Sequence, residues 1–220
     1  MEADLQSLLG RLNGEFARSK ATMENLRRLK IEEYKGRQDR LEHFVKVCHS
    51  LEGVWRPRLE ALRDAFGEKV KVVPHVETDR RQAKFTFTSS LAQIMLTFTA
   101  TTDFDVRNLV LEYSLMINPV LMTFPGHSRR EQPFEQVDPR AIGAWLDDRI
   151  IEFTRIYLSL HENEHYLQGH MVEDPVAHVR FPDFAAEATL ERDGKTLHFI
   201  ASETREQFEA KENADRRISG

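Results

Sequence analysis

His161-Glu162-Asn163-Glu164-His165 fits the pattern H-E-x-x-H. On a helix, two histidines four residues apart share a face and could hold zinc, with Glu162 standing where it could activate a metal-bound water. A catalytic zinc takes three protein ligands. His170 is the third candidate, but it follows Gly169 at a spacing that departs from the extended H-E-x-x-H-x-x-G-x-x-H pattern. Glu173 is a further carboxylate close in sequence, without support from the motif. Zinc metallohydrolase is thus one reading, with Glu162 catalytic and His161, His165 and His170 as metal ligands. The competing reading is an exposed helix end, because the stretch is polar where zinc-protease helices are apolar.

Other chemistries lack their residues. There is no glycine-rich phosphate loop, no Gly-x-Ser-x-Gly elbow and no dinucleotide fingerprint. The single cysteine, Cys48, has no accompanying His or Asn motif and falls on an apolar stripe, so it is expected to be a small buried residue rather than a nucleophile. One cysteine also excludes an internal disulfide framework. The opening Met-Glu-Ala-Asp is not that of a signal peptide, and no apolar run approaches the ~18 residues of a membrane span. The expected compartment is the cytoplasm, with no membrane partner. The net charge of -5 and the scattered arginine pairs Arg27-Arg28, Arg80-Arg81 and Arg129-Arg130, each near acids, argue against nucleic acid as the principal ligand.

The elements that must position these residues are legible from periodicity. Leu5, Leu9, Leu12 and Phe16 recur at steps of four and three. Leu41, Phe44, Cys48, Leu51, Trp55, Leu59, Leu62 and Phe66 resume them after a polar stretch around Gly36. That stretch is either a turn between two helices or the solvated middle of one. Gly53 and Pro57 should kink or break the second helical run, and Gly67 should cap its end. From about residue 69 the period becomes two. Strands are expected at Val70–Val76 (an edge, from Pro74), Ala83–Phe87, Ile94–Ala100 and Leu109–Ile117, with a fifth at Val120–Phe124. Asp138-Pro139 signals a helix start, and Ile142, Trp145, Leu146, Ile150, Phe153, Tyr157 and Leu160 give that helix one apolar face for covering the sheet.

The last fifth of the chain carries a different pattern. Asp174-Pro175-Val176 is followed by Gly194-Lys195-Thr196, then Phe199, then Phe208. In order and spacing this resembles the YHS family of small metal-binding modules. The resemblance implies cysteines where this chain has Ala177, Ile200 and Thr204, so the family's metal site is not carried over. A structural zinc supplies roughly 10 kcal/mol or more to a small domain. A module lacking it should need docking against the rest of the chain or another subunit. His178 and His198 stand in the module without a third soft ligand.

Together these readings describe an α+β protein. A helical arm or hairpin over residues 1–67 precedes an antiparallel meander with its covering helix over 68–170. A degenerate YHS-like module follows over 171–214, and a flexible tail over 215–220. The leading functional expectation is a non-enzymatic assembly or protein-interaction protein, a homo-oligomer and most simply a dimer through the apolar helix stripe, without cofactor. A small-ligand binder with a pocket between the meander and the Ile142-to-Leu160 helix is the second reading. The zinc metallohydrolase is the third.

Overall fold

The computed structural model describes the backbone of residues 2–218 and the side chains of residues 5–213. The polar stretch around Gly36 turns out to be the middle of one helix. α1 runs unbroken from Glu2 to Ser50. The interruption comes at Leu51, earlier than expected from Gly53 and Pro57. α2, Glu52–Phe66, carries both residues inside it. Pro57 has no N–H to give the Gly53 carbonyl, and Arg58 Nη1 donates to the Val54 carbonyl at 2.8 Å. Gly67, at φ +54°, ends α2 with its N–H donated to the Arg63 carbonyl, a conformation that suits a residue without Cβ.

The meander forms a five-stranded sheet in the order β1-β2-β3-β4-β5: β1 Val70–Val76, β2 Arg80–Phe87, β3 Gln93–Thr102, β4 Asn108–Asn118 and β5 His127–Pro133. Its period-two faces follow from register, with Val72, Phe85 and Leu96 side by side across β1 to β3. One expectation fails here. Val120–Phe124 is not a strand; it lies between Pro119 and Pro125, whose missing N–H groups interrupt any ladder. The fifth strand is instead the polar run His127–Pro133, which closes the sheet edge with charged side chains.

α3 spans Pro139–Leu160 and starts as expected, with Asp138 Oδ1 accepting the Arg140 N–H at 2.9 Å. Beyond it come α4 (Glu164–Leu167), the hairpin of β6 (Met171–Glu173) with β7 (Arg180–Pro182), the hairpin of β8 (Ala188–Arg192) with β9 (Lys195–Phe199), and α5 (Ser202–Ile218). The β8–β9 hairpin turns through Asp193 and Gly194, both at positive φ. Two successive positive-φ residues are the demand of a tight hairpin turn, and Asp-Gly meets it. Of the expected flexible stretch 215–220, residues 215–218 continue α5 and 219–220 lie outside the described residues.

The chain forms two compact units, one of residues 1–88, 94–116 and 125–150, the other of 89–93, 117–124 and 151–220. The first has its core at Phe44, Leu51, Phe85, Leu96, Leu109 and Ile142, all fully buried. The second is built around Phe153, Leu160, Tyr166 and Phe199. Residues 171–214 fall in the second unit together with the C-terminal part of α3 and the loop after β4. There the Tyr166 hydroxyl donates to the Pro119 carbonyl at 2.8 Å and accepts the Leu121 N–H at 3.0 Å. No described helix is long and apolar enough to cross a membrane.

Candidate functional site

The helix required by the H-E-x-x-H reading is interrupted at the motif. α3 ends at Leu160, His161 and Glu162 lie in a turn, and α4 begins only at Glu164. Asn163 starts that short helix by accepting the His165 N–H at 3.0 Å. The one-face argument for His161 and His165 therefore does not hold, because it needs uninterrupted helix between them. His161 is half-buried between Tyr157 and Phe184, ring centroids 5.3 and 5.4 Å away, with Nδ1 3.3 Å from the Tyr157 carbonyl. Glu162 and His165 are exposed. His170 Nδ1 lies 3.5 Å from Asp183 Oδ2, and Glu173 pairs with His178 at 3.4 Å. Among the described residues no three His, Cys, Asp or Glu side chains gather so that they could hold a metal ion.

The tail has a polar centre of another kind. Asp174 is fully buried. Its Oδ1 accepts the backbone N–H groups of Val176 at 2.8 Å and Ala177 at 2.9 Å. Its Oδ2 accepts the Ile200 N–H at 2.9 Å and the Thr204 hydroxyl at 2.7 Å. Ala177, Ile200 and Thr204 are the three positions at which the YHS resemblance would put cysteines. One carboxylate thus joins the β6–β7 turn, the end of β9 and the first turn of α5. Burial by itself would push this carboxyl up. The donors of Ala177, Thr204, Ile200 and Val176 outweigh that and hold it down at about 2, so it is ionised at neutral pH. Sequence reading found the residue through the Asp-Pro-Val frame but not this role, which depends on contacts 26 and 30 residues away.

Cys48 is buried on α1, and burial raises its thiol to about 12, although Arg81 pulls the other way. It is protonated and enclosed, which is the reverse of an activated nucleophile.

The largest exposed apolar feature is the free part of α1. The helix is anchored near its C-terminal end. Arg37 Nη1 donates to the Phe104 carbonyl at 2.8 Å and Arg40 Nε to the Asp105 carbonyl at 2.9 Å, both in the β3–β4 turn that Asp103 braces from within. His43 stacks on Phe134 at 5.5 Å, and Phe44, Val47 and Cys48 enter the core. N-terminal to this anchor, every side chain described from Leu5 to Lys35 is exposed; only the glycine at 14 is not. Leu5, Leu9, Leu12, Phe16, Met23 and Leu26 nonetheless keep the four-three step. No family model, curated protein or solved structure matches this chain.

Proposed function

We propose that this protein is a non-enzymatic assembly protein which pairs with a second copy of itself through the exposed arm of α1, residues 5–29. A single observation carries the reading. Six large apolar side chains on one helical stripe are between 44% and 71% exposed, and they recur at the interval a two-stranded coil uses. Starting at Leu5 the stripe runs Leu5, Leu9, Leu12, Phe16, Ser19, Met23 and Leu26. The next stripe positions are polar: Lys30, bonded to its own Glu33 at 2.7 Å, then Glu33 itself. Arg37 and Arg40 follow, and they are spent on the body. The apolar seam therefore stops where the helix joins its own fold.

The flanking charges favour a parallel, in-register pair. Glu15 and Lys20 stand on opposite sides of the seam, five residues apart, the separation that brings them together across two parallel helices. Glu15 now bonds Arg18 of its own helix at 2.7 Å, so this exposed pair sets orientation more than affinity.

Sedimentation equilibrium tests the proposal. The native protein is expected to give a concentration-dependent mass approaching twice the 25.6 kDa of one chain. Burying one leucine is worth about 1.5 kcal/mol at the low end, counted in both copies, so Leu12→Ala should raise the dissociation constant about 100-fold. A strict monomer at high protein concentration would defeat the proposal.

A further inference from the structure

The first unit contains a cavity of about 680 Å³, partly open to solvent and lined by α1, α2, one face of β1 to β4 and the start of α3. Its size falls within the range of small-molecule sites. The sheet explains why space is left there. On β2 the inward-facing residues are Arg81, Ala83, Phe85 and Phe87. Register sets Arg81 between Val76 and Ala100, and Ala83 between Pro74 and Phe98. Where the sheet could carry a third and fourth bulky side chain it carries Ala83 and Ala100, and the volume they leave is bounded by Trp55, Leu59, Trp145 and Leu146.

Arg81 is the exception on this apolar face. Its Nη1 donates to the Glu77 and Arg80 carbonyls, and its guanidinium carbon lies 5.9 Å from the centre of the Phe44 ring. No carboxylate pairs with it among the described residues. The other charged groups of the lining are accounted for differently. Arg56 and His49 pair with Glu52, Arg63 with Asp64 and His75 with Glu77, while Glu60 is exposed on α2. A half-buried cation without a counter-ion is costly unless something of opposite charge completes it. We infer that this cavity binds an elongated apolar molecule bearing one anionic head, the chain lying between the two tryptophans and the head meeting Nε and Nη2 of Arg81. This site is separate from the arm of α1, and neither proposal depends on the other.

The two tryptophans of the chain are Trp55 and Trp145, both on the cavity wall, so intrinsic emission of the full-length protein reports occupancy directly. Titration with dodecanoate, below its micelle concentration, is expected to change that emission saturably. Dodecanol, with the same chain and no charge, should bind at least tenfold more weakly. Arg81→Gln should weaken dodecanoate about tenfold and leave dodecanol unchanged, since a charge-assisted contact is lost and the apolar contacts stay. Ala83→Leu, filling the cavity from its floor, should abolish both responses. Absence of saturation in the native protein, equal affinity for acid and alcohol, or undiminished binding in the Ala83→Leu protein would each overturn the inference.

Discussion

Asp174 shows how one side chain can organise a segment that has almost no core. Its two oxygens collect four donors from three places in the tail, and the tail's apolar contribution is little more than Phe199 against Phe208 at 5.6 Å with Phe181 buried nearby. Asp174→Asn keeps the shape but replaces an ionised acceptor with an amide that must turn a donor toward at least one N–H. We expect a loss of about 2–4 kcal/mol in the second unit, read from denaturant unfolding or from exchange of the Ala177 and Ile200 amide protons. The native protein should show a pH effect of defined sign. The carboxyl is near 2 when folded and at its ordinary 3.8 when unfolded. The unfolded state therefore binds the proton first as pH falls. The contribution, roughly 2 kcal/mol in full, is present above about pH 4 and is lost as pH falls through about 2. Amide protection in the tail that is unchanged from pH 5 to pH 2 would contradict this. The residue-level reading of the sequence succeeded where a local frame sufficed. Asp138 before Pro139 and the buried Cys48 depend on near neighbours or on periodicity. It fell short where the decisive partner is remote. His161 and His165 fit a motif on paper, but the break after Leu160 that separates them is visible only in the fold.

At the scale of elements, α1 was ambiguous in the sequence for a physical reason. A polar stretch with a central glycine can be solvated helix or turn, and Gly36 costs a helix about 1 kcal/mol relative to alanine. The structure resolves it. A Cβ on Gly36 would meet only Arg40 Nη1 at 3.4 Å, and on Gly10 or Gly14 nothing within 4 Å. Gly36→Ala should therefore stabilise the helix by up to about 1 kcal/mol and increase helical circular dichroism, with Gly10→Ala and Gly14→Ala adding to the signal. A turn at residue 36 would give the opposite result. The missed strand β5 has a related explanation. His127–Pro133 has no large apolar residue to reveal a period of two, because an edge strand is kept polar against further pairing. The apolar Val120–Phe124 looked more strand-like but is bracketed by prolines. Its Met122 sulfur instead meets the Ser159 hydroxyl at 3.6 Å.

For the whole molecule, the exposed stripe on α1 is the feature that most needs a partner. Phe16 is 71% exposed and Met23 64% exposed on one helical stripe, and the proposed pairing would cover both. The α+β class and the meander with its succeeding helix were readable from period and turn chemistry. The partner of the stripe was not, because periodicity reports an apolar face without saying what covers it. The most direct measurement is disulfide trapping at Ser19, the polar position within the seam. Ser19→Cys is expected to give a cross-linked dimer under mild oxidation, since parallel in-register helices bring the two copies of position 19 face to face. Ala21→Cys, on the opposite face of the same helix, should remain monomeric, and Cys48 is too deeply buried to interfere. Equal or absent cross-linking at positions 19 and 21 would contradict the proposed pairing.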